Sequence, residues 1–210
     1  MKAILFSIAL SACTLNVFAQ NQAATTTPAE ITSLKIGASI PLSGEVLKTT
    51  DGNAISLEKA KTEGGLLVMF SCNTCPFVVK SQQRTLEAMR MAKDLGVGMV
   101  VINSNQAQRG DVDSYEAMAE YAKNQGYQMP YALDEQSRLA NAFGATRTPE
   151  VFLFNAKGVL VYKGAMEDNP SDPASSKKLY LANALKQLKS GGKINPAETK
   201  SIGCSIKRES

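Results

Sequence analysis

Short apolar runs alternate with longer amphipathic segments along most of the chain. The continuous apolar run at 66–70 is typical of a strand buried on both faces, and 97–102 is a second such run. The other predicted elements are helices at 73–95, 113–126, 137–143 and 175–189 and strands at 130–133, 150–154 and 159–163. This order predicts an α/β fold in which helices flank a mixed β-sheet.

Turn and cap residues support several of these boundaries. Gly96 is the expected end of the first helix. Asp113, with Glu116 three residues later, resembles a capping box at the start of the second helix. Residues 155–158 form a turn sequence between the last two strands, and residues 51–53 predict a β-hairpin near the N-terminus.

The first 19 residues have the features of a signal peptide. A basic start precedes an apolar stretch at 3–12, and 17–19 suits a small-residue cleavage site. A second interpretation stays open, because residues 10–13 resemble a bacterial lipobox that would make Cys13 a lipidated membrane anchor. Either signal predicts export to the periplasm, an oxidising compartment in which disulfides persist.

Composition divides the mature chain into three parts. Residues 20–37 are rich in Ala, Thr, Gln and Asn, which predicts a flexible linker. The predicted elements place the folded domain at 38–190. Residues 191–210, which carry Cys204, show no clear periodicity and predict an irregular C-terminal tail.

Charge and the absence of one residue type exclude several functions. A net charge of +4 is too small to argue for nucleic-acid binding, and there is no Trp that could stack on bases. The chain contains no His. This excludes Ser-His and Cys-His nucleophile systems and imidazole-rich metal sites, so a general base must be a carboxylate, an amine or a thiolate.

The strongest chemical signal is Cys72-Asn-Thr-Cys75-Pro76, which follows the first apolar strand directly. The C-x-x-C spacing allows a disulfide, and a helix start stabilises a thiolate. Pro76 suits the first helical position, because it has no N–H to leave unpaired. The pattern therefore indicates a redox site, with an inert structural disulfide or part of a metal site as alternatives.

Two later features complete the set of candidates. Thr148-Pro149 lies just before a predicted strand, where a tight turn with either a cis or a trans X-Pro bond would fit. After cleavage of the signal, Cys204 would be the odd thiol. It could resolve an intermediate on Cys72 or Cys75, form an intermolecular bridge or stay unreactive.

Taken together, these segments resemble the thioredoxin-like superfamily, and more closely its peroxiredoxin-like (redoxin) branch. The resemblance covers about residues 38–207. The stretches that carry it are 70–78, 101–105, 130–134, 148–154 and 203–207.

The resemblance implies a thiol–disulfide oxidoreductase without an organic cofactor or metal. It implies that Cys72 is the exposed attacking thiol, that Cys75 is the more buried resolving thiol, and that Thr148 and a cis Pro149 shape the substrate groove. The expected partners are a protein disulfide or small oxidant and a redox protein that regenerates the dithiol. Binding to nucleic acid is not expected. Attachment to a membrane is expected only through a lipid on Cys13.

The sequence also departs from the family pattern. Thioredoxins carry a buried Asp in the strand before the dithiol, where this chain has Leu66. Glu150 is therefore our candidate proton acceptor, with a hydrogen-bonded strand-start carboxylate as its alternative role.

Two other functions remain open from the sequence. Peroxiredoxins have Thr where this chain has Cys72, and their peroxide-reactive cysteine aligns with Cys75. A thiol peroxidase is thus an alternative, with Arg84 or Arg147 as the arginine that polarises the peroxide. A further alternative is a copper-delivery protein that uses the three cysteines of the mature chain, Cys72, Cys75 and Cys204, as soft ligands.

Overall fold

The apolar runs of the sequence form the centre of a five-stranded sheet in the computed structural model, which describes residues 31–209. The strands of this sheet are β3 (Leu66–Ser71), β4 (Gly98–Asn103), β5 (Tyr131–Leu133), β7 (Glu150–Phe154) and β8 (Leu160–Gly164). Their order is β5-β4-β3-β7-β8. The strands β3, β4 and β5 are parallel, while β7 is antiparallel to both β3 and β8. This is the predicted mixed sheet, with β3 at its centre.

Two two-stranded ribbons accompany the main sheet. The first pairs β1 (Leu47–Lys48) with β2 (Ala54–Ile55), which confirms the predicted N-terminal hairpin. The second pairs β6 (Arg147–Thr148) with β9 (Cys204–Ser205). The predicted irregular tail therefore contains one short strand, and that strand carries Cys204.

Helices cover both faces of the sheet. They are α1 (Leu57–Ala60), α2 (Pro76–Lys80), α3 (Gln82–Leu95), α4 (Tyr115–Asn124), α5 (Arg138–Phe143) and α6 (Tyr180–Lys189). Alternate residues of β3 point to opposite faces, as the pleat of a strand requires. Leu67 and Met69 belong to the core shared with α3, α4 and α6. Phe70 lies in the opposite core, where it makes edge contacts with Phe143 and Phe152.

Two helices differ from their predicted extents: one is divided in two, and the other begins later in the chain. The helix predicted at 73–95 is divided at Ser81, whose φ of −88° and ψ of 9° leave the helical region. The hydroxyl of Thr85 donates to the carbonyl of Ser81 at 3.4 Å, an interaction that often bends helices. The helix predicted from 175 begins only at Tyr180, because Asp168 Oδ1 accepts the N–H groups of Lys177 and Lys178 and holds that segment as a loop.

The predicted cap of α4 is wrong by one residue. Ser114 is the N-cap, and its hydroxyl oxygen accepts the N–H of Ala117. Asp113 is fully buried instead and binds groups near the cysteines. By contrast, Gly96 ends α3 in the left-handed conformation, as predicted.

The folded domain begins earlier than residue 38. Leu34 donates its N–H to Phe143 O, and Gly37 donates to Leu160 O, so this part of the predicted linker is bonded to the domain. The predicted signal peptide, the lipobox with Cys13 and the first part of the linker lie outside the described residues. No helix within 31–209 is long and apolar enough to span a bilayer.

Candidate functional site

The two cysteines of the C-x-x-C motif lie where the central strand gives way to a helix. Cys72 follows β3 directly, and Cys75 is the N-cap residue of α2. Pro76 occupies the first turn of this helix, as the sequence predicted. Both cysteines are buried, with 2% and 4% of their surface exposed. The expectation of an exposed Cys72 is therefore wrong, because Val78 and Phe77 pack with it in a small apolar cluster.

Thr148 contacts both motif sulfurs. Its Oγ1 lies 3.4 Å from Cys72 Sγ, and its carbonyl oxygen lies 3.3 Å from Cys75 Sγ. The Thr148–Pro149 peptide bond is cis, which confirms the expected geometry of this turn. Thr148 and Pro149 are both buried. The two parts of the predicted site are thus adjacent, although they are distant in the sequence.

The disulfide of the structure joins Cys75 to Cys204, and Cys72 is a free thiol. The two Cα atoms are 6.1 Å apart, a normal separation for a disulfide. This corrects the expectation of a Cys72–Cys75 ring. The pairing follows from the tail, which crosses the molecule and places Cys204 directly opposite Thr148 in the β6–β9 ribbon.

The tail is bound closely to the chain beside Pro149. Ile206 donates its N–H to Thr146 O, and the side chain of Arg147 donates to Ser205 Oγ at 3.1 Å. A Cβ atom at Gly203 would lie 2.2 Å from the carbonyl oxygen of Thr148. Glycine is therefore required for this close approach, and the contact positions the following cysteine.

The three cysteines within residues 31–209 differ in their access to solvent. Cys204 is partly exposed, whereas Cys72 and Cys75 are almost completely buried. Val79 lies four residues after Cys75, and Ile202 lies two residues before Cys204. Their apolar side chains are 55% and 42% exposed. A reagent that approaches the disulfide from solvent therefore meets Cys204 first.

Sequence reasoning missed the role of Asp113. This carboxylate, 0% exposed, accepts the N–H of Asn73 between the two motif cysteines at 2.9 Å. Its spacing from Glu116 suggested a cap, and no local signal in the sequence distinguishes that role from a tertiary one. Asp113 lies between β4 and α4, and the tertiary fold brings this segment next to the start of α2.

Other predicted residues have different partners. Glu150 Oε2 accepts the N–H groups of Thr146 and Arg147, so its contacts are those of a carboxylate that stabilises a loop. Arg84 pairs with Glu87 and Glu167. The structure therefore brings together Cys72, Cys75, Cys204 and Thr148. Glu150, Arg84 and Arg147 have hydrogen-bond or ion-pair partners other than the sulfurs.

Burial raises the pKa of the Cys72 thiol above its ordinary value, because a thiolate is poorly solvated in this position. The hydroxyl of Thr148 acts in the opposite direction, and the charge of Asp113 raises the pKa further. The raised pKa keeps Cys72 protonated at neutral pH. Folding then favours the protonated thiol, so this contribution to stability is present below the unfolded-state pKa and is lost as the pH rises through the folded-state value.

We expect alkylation of Cys72 in the oxidised protein to be slow at neutral pH. The rate with iodoacetamide at pH 7 should be at least about tenfold below that of a cysteine in an unfolded peptide, and it should rise at alkaline pH as the thiolate forms. Peptide mapping by mass spectrometry identifies the modified cysteine, and the urea-unfolded protein is the control. The prediction would be contradicted if the alkylation rate of the folded protein rose with pH at the same midpoint as that of the unfolded protein, or at a lower one.

The cysteines do not form a preassembled metal site in this state. Between residues 31 and 209 there is no group of three or more Cys, His, Asp or Glu side chains arranged to hold a metal ion. Two of the three sulfurs considered as copper ligands are bonded to each other.

Comparisons with known proteins agree with the fold. A model of the redoxin family matches residues 30–180. A solved structure of an uncharacterised conserved protein from Geobacillus kaustophilus is 35% identical, covers 83% of this chain and 93% of its own, and has a TM-score of 0.73. A hypothetical protein from Sinorhizobium meliloti 1021 is 31% identical over 85% of this chain and 97% of its own, with a TM-score of 0.75.

More distant structures share the fold alone. A putative protein disulfide isomerase from Bacteroides thetaiotaomicron is 17% identical over 75% of this chain and 91% of its own, with a TM-score of 0.57. Peroxiredoxins are also among the structures with this fold. No curated protein sequence matches the chain at a significant level.

Proposed function

Because this chain belongs to the redoxin family, we propose that it is a thiol–disulfide oxidoreductase whose oxidised form carries the Cys75–Cys204 disulfide. One observation carries the proposal: a motif cysteine at a helix start is bonded to a partly exposed tail cysteine, and a free thiol lies close by. Thiol–disulfide exchange needs an attacking thiolate, a second thiol that resolves the mixed disulfide, and access. Cys75 and Cys204 supply the two thiols, and the partial exposure of Cys204 gives a partner access to the disulfide.

The reduced protein would transfer two electrons to a substrate disulfide in two steps. The Cys75 thiolate attacks one substrate sulfur, which forms a mixed disulfide and releases the other substrate sulfur as a thiolate that takes up a proton. Cys204, after losing its proton to solvent, attacks Cys75 Sγ. This closes the Cys75–Cys204 disulfide and releases the second substrate thiol. The start of α2 stabilises the Cys75 thiolate in the first step.

A dithiol partner would regenerate the reduced form. Its thiolate attacks the accessible sulfur of Cys204, and Cys75 leaves as a thiolate that takes up a proton. The partner's second thiolate then attacks the partner sulfur of this mixed disulfide, which closes the partner's disulfide and releases Cys204 as a thiol. Run in reverse, the same steps oxidise a dithiol substrate. No cofactor or metal takes part in either direction.

Cys72 has a separate role in this scheme. It lies in the same apolar cluster as Cys75 and shares Thr148 as a neighbour. Once deprotonated, Cys72 could attack Cys75 Sγ, form the Cys72–Cys75 disulfide and release Cys204 as a thiolate. The C-x-x-C pair suggested by the sequence is then the product of an internal exchange that frees the tail.

Thiol peroxidase activity is the second candidate. One observation favours it: the cysteine that precedes Pro76 is paired with a distant cysteine, as expected for a peroxide-reactive thiol and a separate resolving thiol. Cys75 thiolate would cleave a hydroperoxide to an alcohol and a sulfenic acid, and Cys204 would then form the disulfide and release water. However, Arg84 is held by two carboxylates and Arg147 by the tail.

The protein acts in the periplasm in this proposal, after removal of residues 1–19 or while anchored through a lipid on Cys13. The apolar N-terminal sequence supports export, and a disulfide such as Cys75–Cys204 persists in an oxidising compartment. Fractionation of cells that produce the full chain tests this. Recovery of the unprocessed protein in the cytoplasm would count against it.

Turnover assays with two classes of oxidant test the activity. We expect the reduced protein to reduce insulin disulfides in the presence of excess dithiol, and stoichiometric reaction with insulin to yield the Cys75–Cys204 disulfide by peptide mapping. Hydrogen peroxide and an organic hydroperoxide are the parallel substrates. Rapid peroxide consumption without insulin reduction would favour the peroxidase, and no reaction with either substrate would reject both activities.

A further inference from the structure

A buried polar cluster lies beneath the redox site, with the carboxylate of Asp113 at its centre. Oδ1 accepts the N–H of Asn73 at 2.9 Å and the side-chain amide of Asn103 at 2.7 Å. Oδ2 accepts the side-chain amide of Asn105 at 2.8 Å. Three N–H donors therefore converge on one carboxylate that is 0% exposed.

The cluster holds the loop between the two motif cysteines at three points. Besides its N–H bond to Asp113, the Asn73 side chain donates to Val112 O at 2.8 Å and accepts from the hydroxyl of Tyr131 at 2.9 Å. Every polar group of the Asn73 side chain thus has a buried or partly buried partner. The orientation of the loop depends on the segment that contains Asp113.

The same cluster binds the tail on its other side. Asn105 Oδ1 accepts the N–H of Lys207 at 2.8 Å, while its amide nitrogen donates to Asp113 Oδ2. The carbonyl of Lys207 accepts the N–H of Ala107 at 2.9 Å. Lys207 lies three residues beyond Cys204, so this contact fixes the part of the tail that carries the sulfur.

We propose that Asp113 is a positioning residue that holds the Cys72–Cys75 loop and, through Asn105, the tail, so that Cys75 and Cys204 meet. Its single carboxylate connects both halves of the disulfide by way of Asn73 on one side and Lys207 on the other. It also places a negative charge near Cys72. The inference rests on the proposed function in treating the Cys75–Cys204 disulfide as the redox centre.

Three tyrosines also interact with Cys72. They are Tyr121, Tyr127 and Tyr131. Burial raises the pKa of Tyr121 to about 12 and raises the pKa values of the other two, so all three are neutral at physiological pH. The guanidinium of Arg109 donates to the backbone carbonyl oxygen of Asp113, not to its carboxylate. Removing the carboxylate should therefore favour the Cys72 thiolate.

The test is Asp113→Asn in the full chain, compared with Asp111→Asn, which makes the same charge change at an exposed position two residues away. We expect Asp113→Asn to increase the alkylation rate of Cys72 at pH 8 by about threefold, because a like charge is removed. We also expect the equilibrium of the Cys75–Cys204 disulfide with glutathione to shift about fivefold toward the reduced form, because one accepting oxygen is lost. Asp111→Asn should change neither quantity.

A second variant keeps the inference testable if Asp113→Asn does not fold. Asn105→Ala removes the link to the tail but retains the carboxylate, so it should shift the glutathione equilibrium in the same direction without changing the pH profile of Cys72. Two results would overturn the inference: a folded Asp113→Asn that matches Asp111→Asn in both readouts, or an Asn105→Ala variant with an unchanged equilibrium. Neither readout needs substrate turnover, so a protein that fails to reduce insulin rejects the proposed function without deciding this question.

Discussion

Replacing Cys204 by Ser should stop turnover with protein disulfides at the mixed-disulfide stage. Cys75 can still attack, but the resolving thiol that the tail holds beside it is lost. At pH 7 the neighbouring Cys72 is protonated, because burial raises its pKa, so it replaces Cys204 only slowly. An intramolecular thiol has a high effective concentration, so we expect the insulin reduction rate to fall at least about 100-fold. The mixed disulfide at Cys75 should accumulate, and non-reducing electrophoresis with peptide mapping measures it.

Two variants serve as controls for this result. Cys75→Ser should lose turnover without any trapped adduct, because the attacking sulfur is absent. Cys72→Ser leaves the Cys75–Cys204 pair in place. This variant should still reduce insulin in its first catalytic cycle. If Cys204→Ser retained wild-type turnover, or if Cys72 carried the trapped substrate, the assignment of Cys75 and Cys204 would be wrong.

Loss of the aromatic side chain in Phe143→Ala should destabilise the domain more than any surface change. The Phe143 ring is completely buried and makes edge contacts with Phe70, Phe152 and Phe154. Truncation of a buried Phe removes apolar burial and leaves a cavity, at a cost of about 3–5 kcal/mol in the free energy of unfolding. Urea unfolding of the oxidised protein, followed by circular dichroism, measures the change.

The matched control for that substitution is Val46→Ala. Val46 is 72% exposed, so removing its methyl groups should alter the free energy of unfolding by no more than about 0.5 kcal/mol. A change below about 1.5 kcal/mol for Phe143→Ala would mean that this core is less tightly packed than the structure indicates.

Hydrophobic patterning was sufficient to predict the central sheet. The run at 66–70 is buried on both faces, because helices cover each side of β3. Gly96 was a reliable helix end, since its left-handed backbone is one that glycine adopts easily. Strong local signals of this kind depend little on the rest of the fold.

The disulfide and the buried carboxylate could not be predicted in the same way. Cys75 and Cys204 are 129 residues apart, and the tail between α6 and β9 has no periodic pattern that would reveal its path. Asp113 resembled a cap because an acidic residue near a helix start has the same local sequence in either role. The two roles of Asp113 are distinguished only by the tertiary structure, in which the loop after β4 packs against the C-x-x-C motif.

The long separation between the bonded cysteines also affects biosynthesis. The ribosome makes Cys72 and Cys75 together, well over a hundred residues before Cys204 exists. An oxidant that acts on the growing chain can therefore join only cysteines already made, and the neighbouring pair is the nearest choice. Maturation to the pairing seen in the folded protein would then require disulfide reshuffling, a slow step whose rate depends on the available oxidants and isomerases.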